Sequence, residues 1–162
     1  MTKAWEHEEK EALSLSKAAE YLLEECRMVL PGIQALFGFQ LIAVFNQSFG
    51  EKLSSGEQAL HLAAIGLIAV AVALVMTPAA YHRQAGGRVV TEHFLQISTR
   101  LLLWSMLPLA LGISIDFYLI ARIILGTFAV AFLAAVLLAV FILLWFALPR
   151  VETLKRLMAR GE

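Results

Sequence analysis

From Ile123 to Leu148 the chain runs without one charged side chain, and this run limits the fold more than any other feature of the sequence. An apolar helix needs about 20 residues, at about 1.5 Å of rise each, to cross the roughly 30 Å hydrocarbon layer of a bilayer. Three more segments meet that requirement. Ile33 to Phe49 is free of charge and reaches spanning length when counted from Leu30, and Leu60 to Ala80 forms a second apolar run. The third has a shorter apolar core, Leu101 to Ile115, which becomes long enough once Phe94, Leu95 and Ile97 are added. Arg100 then lies inside the helix start and is expected to snorkel to the interface. Composition agrees: 60% of residues are hydrophobic and 16% charged, where a soluble domain carries about 25% charged. The mean hydropathy is +0.76. The expected fold is an all-α integral membrane four-helix bundle.

Ahead of the first span lies a more polar helix. Ala12, Leu15, Ala19, Leu22, Cys26 and Val29 recur at alternating spacings of three and four, while Lys10, Lys17, Glu20, Glu24 and Arg27 occupy the opposite face. This pattern predicts an amphipathic helix lying on the membrane or against a partner helix. Pro31 and Gly32 interrupt it, and the chain is expected to turn into the bilayer there. Between spans one and two, Ser54 and Glu57 have the spacing of a capping box. Thr77 to Arg83 closes span two with an interfacial tyrosine and cationic groups suited to a helix carboxyl end. Gly86 and Gly87 mark the next turn, with a helix starting near Val89, and Gly112 to Asp116 is expected to close the hairpin between spans three and four. The organisation expected is a cytoplasmic amphipathic helix (1–29), a four-span domain (30–149) and a basic tail (150–162).

Orientation follows from basic residues. Lys3, Lys10, Lys17, Arg27, Arg83, Arg88, Arg100, Arg150, Lys155, Arg156 and Arg160 lie on one side, against Lys52 and Arg122 on the other. The positive-inside rule puts the larger set, and both termini, in the cytoplasm of a cell membrane. With 13 Lys and Arg against 13 Asp and Glu, no global field draws the chain to nucleic acid. The lone cysteine, Cys26, supports neither a disulfide framework nor a cysteine metal cluster. His7, His61, His82 and His93 have no metal-ligand spacing. No cofactor motif, nucleophilic triad or phosphate loop is present, so no enzyme is expected. The acidic start, from Glu6 to Glu11, does not read as a cleaved targeting segment.

Span one is the most polar span, carrying Gln34, Gln40, Asn46 and Gln47. Gln40 and Gln47 are seven residues apart, about 20° from one helical face. Two readings fit: a water-filled pore lined by these amides with Phe37 as a narrow apolar point, or amides bonding between helices or subunits. Glu24, Glu25 and Arg27 gather before Pro31. They form either an ion-attracting ring at the inner mouth or local pairs, with His82, Arg83 and Arg100 available on the same side. Asp116 and Arg122 frame the outer hairpin, the aspartate as a helix cap and the arginine as an interfacial anchor. With Asp116 so placed, no carboxylate lies within any span. Proton-coupled exchangers usually need one, so this weighs against an antiporter.

Leu22 to Leu41, with Glu25, Arg27, Leu30, Pro31, Gly32 and Gln34, and the motif TPAAYHR from Thr77 to Arg83 resemble a family of small bacterial membrane proteins known only as a domain of unknown function. The resemblance covers most of residues 20 to 148. It implies four spans in a bacterial cytoplasmic membrane, and some members bear the label sodium/proton antiporter. Both motifs fall at the inner ends of spans one and two, which implies that Glu24 or Glu25 meets His82 or Arg83. The function expected from all of this is a small homo-oligomeric transport protein, an ion-conducting channel with span one lining or adjoining the axis. Its partners would be the lipid bilayer, other copies of itself and an ion as substrate. The alternatives are a non-conducting scaffold or auxiliary subunit, and a cation/proton antiporter.

Overall fold

A computed structural model describes residues 14–84, 91–127 and 129–151. Its elements are α1 (Leu15–Val44), the short α2 (Gln47–Lys52), α3 (Ser55–Gln84), α4 (Glu92–Leu125) and α5 (Ala129–Ile142), with α5 passing through a π-helical turn, Leu143–Ala147. Four helices are long and apolar enough to cross a membrane. Among the described residues there is no strand, so the chain is an all-α, multi-pass membrane bundle. Residues 1–13, the Gly86–Gly87 turn with Arg88, and the basic tail from Glu152 onward lie outside the described residues.

Local signals account for the helix ends. The Ser14 side chain accepts the Lys17 N–H at the start of α1, and Thr91 accepts the Phe94 N–H at the start of α4, at 3.2 Å. At α3 the expected capping box forms: the Glu57 carboxylate reaches back to accept the Ser54 N–H at 2.8 Å and its hydroxyl at 2.7 Å. Gly126 ends α4 in the left-handed region at φ 63, where glycine meets no Cβ penalty. Its N–H bonds to the Arg122 carbonyl.

Four boundaries differ from expectation. Pro31 neither starts nor breaks a helix: α1 runs straight through it. The proline deprives the Arg27 carbonyl of its helical donor, a defect of about 3 kcal/mol in an isolated helix. The buried face nonetheless continues across it, from Ala19, Leu22 and Cys26 to Ile33 and Gln40. The polar helix and the first span are therefore one rod in this region. The rod ends at Val44, leaving Asn46 and Gln47 beyond it, and Gln47 begins α2. The third long helix begins at Glu92, behind its threonine cap, rather than near Val89.

The fourth difference matters most. Gly112 does not open a hairpin, because α4 continues through it and through Asp116 to Leu125. Gly112 is a packing residue: a Cβ there would stand 2.7 Å from Ile68 Cδ1 and 3.3 Å from the Ala64 carbonyl oxygen. The true turn comes at Gly126, ten residues beyond Asp116 by number.

The α3 stripe Glu57, His61, Ala64, Ile68, Ala71, Val75 and Pro78 is buried along the whole helix, and α4 lies along it. Ala64, Ala71 and Ala110 have no exposed surface. Lipid offers no hydrophobic drive to bring helices together, so small residues that let backbones approach supply the packing. A core of Leu22, Cys26, Ile33, Ile68 and Val75 ties α1 to α3, with Phe37, Leu95 and Leu102 against it. Helix α5 packs on α4 through Val130, while Phe132, Leu133, Val136 and Val140 stay exposed for lipid.

Gly112→Val should therefore destabilise the bundle by about 1–3 kcal/mol, the usual cost of overpacking. Gly66→Ala, on an exposed position with open space around it, should be neutral or gain up to about 1 kcal/mol of helix propensity. Unfolding in mixed detergent micelles, followed by circular dichroism, measures both.

Candidate functional site

Because α4 continues past Gly112, Asp116 is carried into the bundle. It lies one helical turn from Gly112 on the same face, and the glycine that brings α4 against α3 also brings Asp116 beside His61. His61 sits on the buried α3 stripe, one turn from Glu57. From α1, Gln40 completes the meeting of three helices. All three polar residues are buried, Gln40 at 4%, His61 at 7% and Asp116 at 9% relative exposure.

Their bonds form one network. Gln40 Nε2 donates to Asp116 Oδ2 at 2.5 Å. His61 Nδ1 stands 3.2 Å from Asp116 Oδ1, and His61 Nε2 stands 3.1 Å from the backbone carbonyl of Gln40. A carbonyl only accepts, so His61 Nε2 carries a hydrogen whenever that bond is made. The Nδ1 contact with Asp116 then needs one further proton between its two atoms, on the imidazole in an ion pair or on the carboxyl in a neutral pair. Without that proton two lone pairs face each other, and a negative charge stays buried in a medium that penalises it. Gln40 Oε1, also buried, has no hydrogen-bond partner among the described residues.

One layer toward the α4–α5 turn, Arg122 Nε pairs with Glu57 Oε1 at 2.6 Å. The arginine also donates to the Tyr118 hydroxyl at 3.4 Å. Six residues separate Arg122 from Asp116, so the network lies about 9 Å deeper along α4 than this exposed arginine. The α1–α3 connection folds over it: Phe49 of α2 sets its ring edge-on to His61, with centroids 5.2 Å apart. Beside the network is a cleft of about 190 Å³, lined by Leu36, Phe39, Phe49, Leu119, Ile120 and Ile123 together with Gln40, His61 and Asp116.

The residues singled out from sequence are placed differently. Gln40 faces inward to Asp116 rather than out to an axis between subunits. Gln47 is exposed on α2, so the two amides do not form one stripe, and Gln34 is exposed on α1. Phe37 is half-buried against the α1–α3 core. At the other end of the bundle, Arg27, His82 and Arg83 line a cavity of about 330 Å³ between α1 and α3 with Cys26 and Leu30. The two family-like motifs do meet there, but through their basic groups. Glu24, Glu25 and Arg100 are exposed, and none forms an ion pair among the described residues. Asp116 belongs to the interior of α4 and not to a turn, so the expectation that no carboxylate enters a span is overturned. The signal that could have found it is its spacing: Ser98, Ser105, Pro108, Gly112, Asp116 and Leu119 make a helical stripe with no break at the glycine.

The chain belongs to the family of unknown function DUF6328, whose model matches residues 8–149. Neither the curated proteins nor the solved structures contain a match to it.

Asp116→Leu should leave Gln40 Nε2 and His61 Nδ1 without their shared partner and cost about 1–3 kcal/mol. Asp116→Asn keeps an acceptor for Gln40 and a donor for His61 and should cost less. Combining Asp116→Leu with Gln40→Leu should be less damaging than the sum of the two, by about 0.5–3 kcal/mol as for residues in direct contact. Unfolding titrations of the four proteins in detergent read this coupling.

Proposed function

We propose that this membrane protein is a proton-linked transporter in which the Asp116–His61 pair takes up and releases the coupling proton. The observation that carries the reading is a carboxylate and an imidazole in contact inside a helix bundle, joined by Gln40 across three helices. The charge balance supplies the physics. With its shared proton the pair is neutral overall; without it, one negative charge is left, and an uncompensated charge in such surroundings costs several kcal/mol. A cation entering beside Asp116 relieves that cost, so proton and cation compete for one position. Such competition is what couples the movement of one to the movement of the other, as in a cation/proton exchanger.

The basic-residue bias supports a topology with both termini in the cytoplasm, with the Asp116 site toward the opposite face of a bacterial cytoplasmic membrane. A four-helix bundle is thin for a hydrated path of its own, so transport would be completed by further copies of the chain. A simple channel along span one is the weaker reading, because Gln40, its central pore candidate, is already bonded to Asp116.

The test uses purified protein in liposomes containing a pH-sensitive dye, with imposed gradients of sodium, potassium and a small alkylammonium in turn. At least one cation should drive proton movement above that of protein-free vesicles. Asp116→Asn should reduce it to that background, whereas Gln47→Leu should leave it unchanged. Vesicles with wild-type protein that match protein-free vesicles for every cation would overturn the reading. Passive current without proton movement would favour a channel, and a silent protein that co-purifies with one stoichiometric partner would favour a scaffold.

A further inference from the structure

The cleft beside Asp116 says what kind of cation the site accepts. It is walled by Leu36, Phe39, Phe49 and Ile120, and among the described residues that line it only Gln40 and Asp116 offer side-chain oxygen. An inorganic ion entering it would shed water for too few ligands, since hard cations take about six oxygens. An organic ammonium needs only one or two acceptors for its N–H groups and gains from the apolar wall. Gln40 Oε1 is such an acceptor, buried and without a partner among the described residues.

Size and access agree. A dry apolar cavity of about 150 Å³ accommodates benzene, and this cleft measures about 190 Å³, room for one ring with a short amine-bearing arm. Two of its walls, Phe39 at 70% and Ile120 at 59% exposure, stand on the outside of the bundle, where acyl chains surround them. The entrance is thus lateral, open to molecules already dissolved in lipid.

From these features we infer that the cleft binds a small lipophilic primary ammonium ion, with its apolar part between α1 and α4 and its nitrogen donating to Gln40 Oε1 and the Asp116 carboxylate. The inference rests on the proton-linked reading for its charge balance. The proton shared by the Asp116–His61 pair passes to water as the ammonium enters, and the ammonium supplies the positive charge opposite the Asp116 carboxylate. Glu57 on α3 and Arg122 on α4, the nearest charged pair, neutralise each other and leave that balance to Asp116 and His61. On α2, Glu51 and Lys52 are exposed.

The experiment is calorimetric titration of 2-phenylethylammonium chloride into the full chain in lipid nanodiscs, with protein-free nanodiscs to subtract partitioning. The expected result is saturable binding at one site per chain. It should weaken at least about tenfold in Asp116→Asn, as the loss of a charge-assisted bond implies, and severalfold in Gln40→Leu. The neutral analogue 2-phenylethanol and sodium chloride should bind far more weakly. Equal binding by wild type and Asp116→Asn, or tighter binding of sodium than of the ammonium, would overturn the inference. The two claims separate cleanly: inorganic cations that exchange for protons through Asp116 while 2-phenylethylammonium does not bind would remove only this inference. Asp116-dependent ammonium binding with no proton movement in vesicles would remove only the transporter reading.

Discussion

A buried carboxylate in a bundle bathed by lipid must find every partner it needs within the protein, and Asp116 finds them on two other helices. Gln40 of α1 and His61 of α3 each bond to one of its oxygens, so the polar network doubles as the joint that fixes α1, α3 and α4 at one end. Its geometry depends on α4 lying close to α3, which in turn depends on Gly112, where any side chain would strike Ile68. The apolar packing and the polar site are therefore one construction: the small residues along the α3–α4 seam set the approach, and the approach sets the distance from His61 to Asp116.

In the proposed reading, this dependence gives the network a role beyond adhesion. A pair of amides would join three helices with no charge to manage. A carboxylate facing an imidazole whose second nitrogen is tied to a carbonyl instead makes, in the proposed reading, the position for one exchangeable proton. In that reading the apolar cleft at its side takes the compensating cation, and Arg122, the exposed member of its pair with the buried Glu57, lies toward the α4–α5 turn.

Much of the fold was legible in the sequence. The four spans, the capping box of Ser54 and Glu57 and the basic end of α3 all follow from local chemistry that tertiary contacts do not alter. The difficulty lay with residues whose meaning is set by neighbours. Gly112 next to Asp116 reads as a turn when taken alone, because glycine followed by a capping aspartate is common where helices end. Only the facing Ile68 and Ala64 make the same glycine a contact point. Pro31 misleads in the same way, since a proline breaks an isolated helix but survives in one whose buried face is held on both sides. The glutamine expectation was half useful: Gln40 did carry polar chemistry inside the bundle, but its partner was an aspartate 76 residues away in sequence. Periodicity along one helix does not disclose such a partner.

The most direct test of the account is nitrogen NMR of the chain in bilayers, with His61 as its single labelled histidine. The account predicts a hydrogen on Nε2 that persists across the pH range in which the protein stays folded. It also predicts an Nδ1 resonance that moves on Asp116→Asn but not on Glu51→Gln. An imidazole that exchanges freely between tautomers, and is indifferent to the loss of the Asp116 charge, would contradict it.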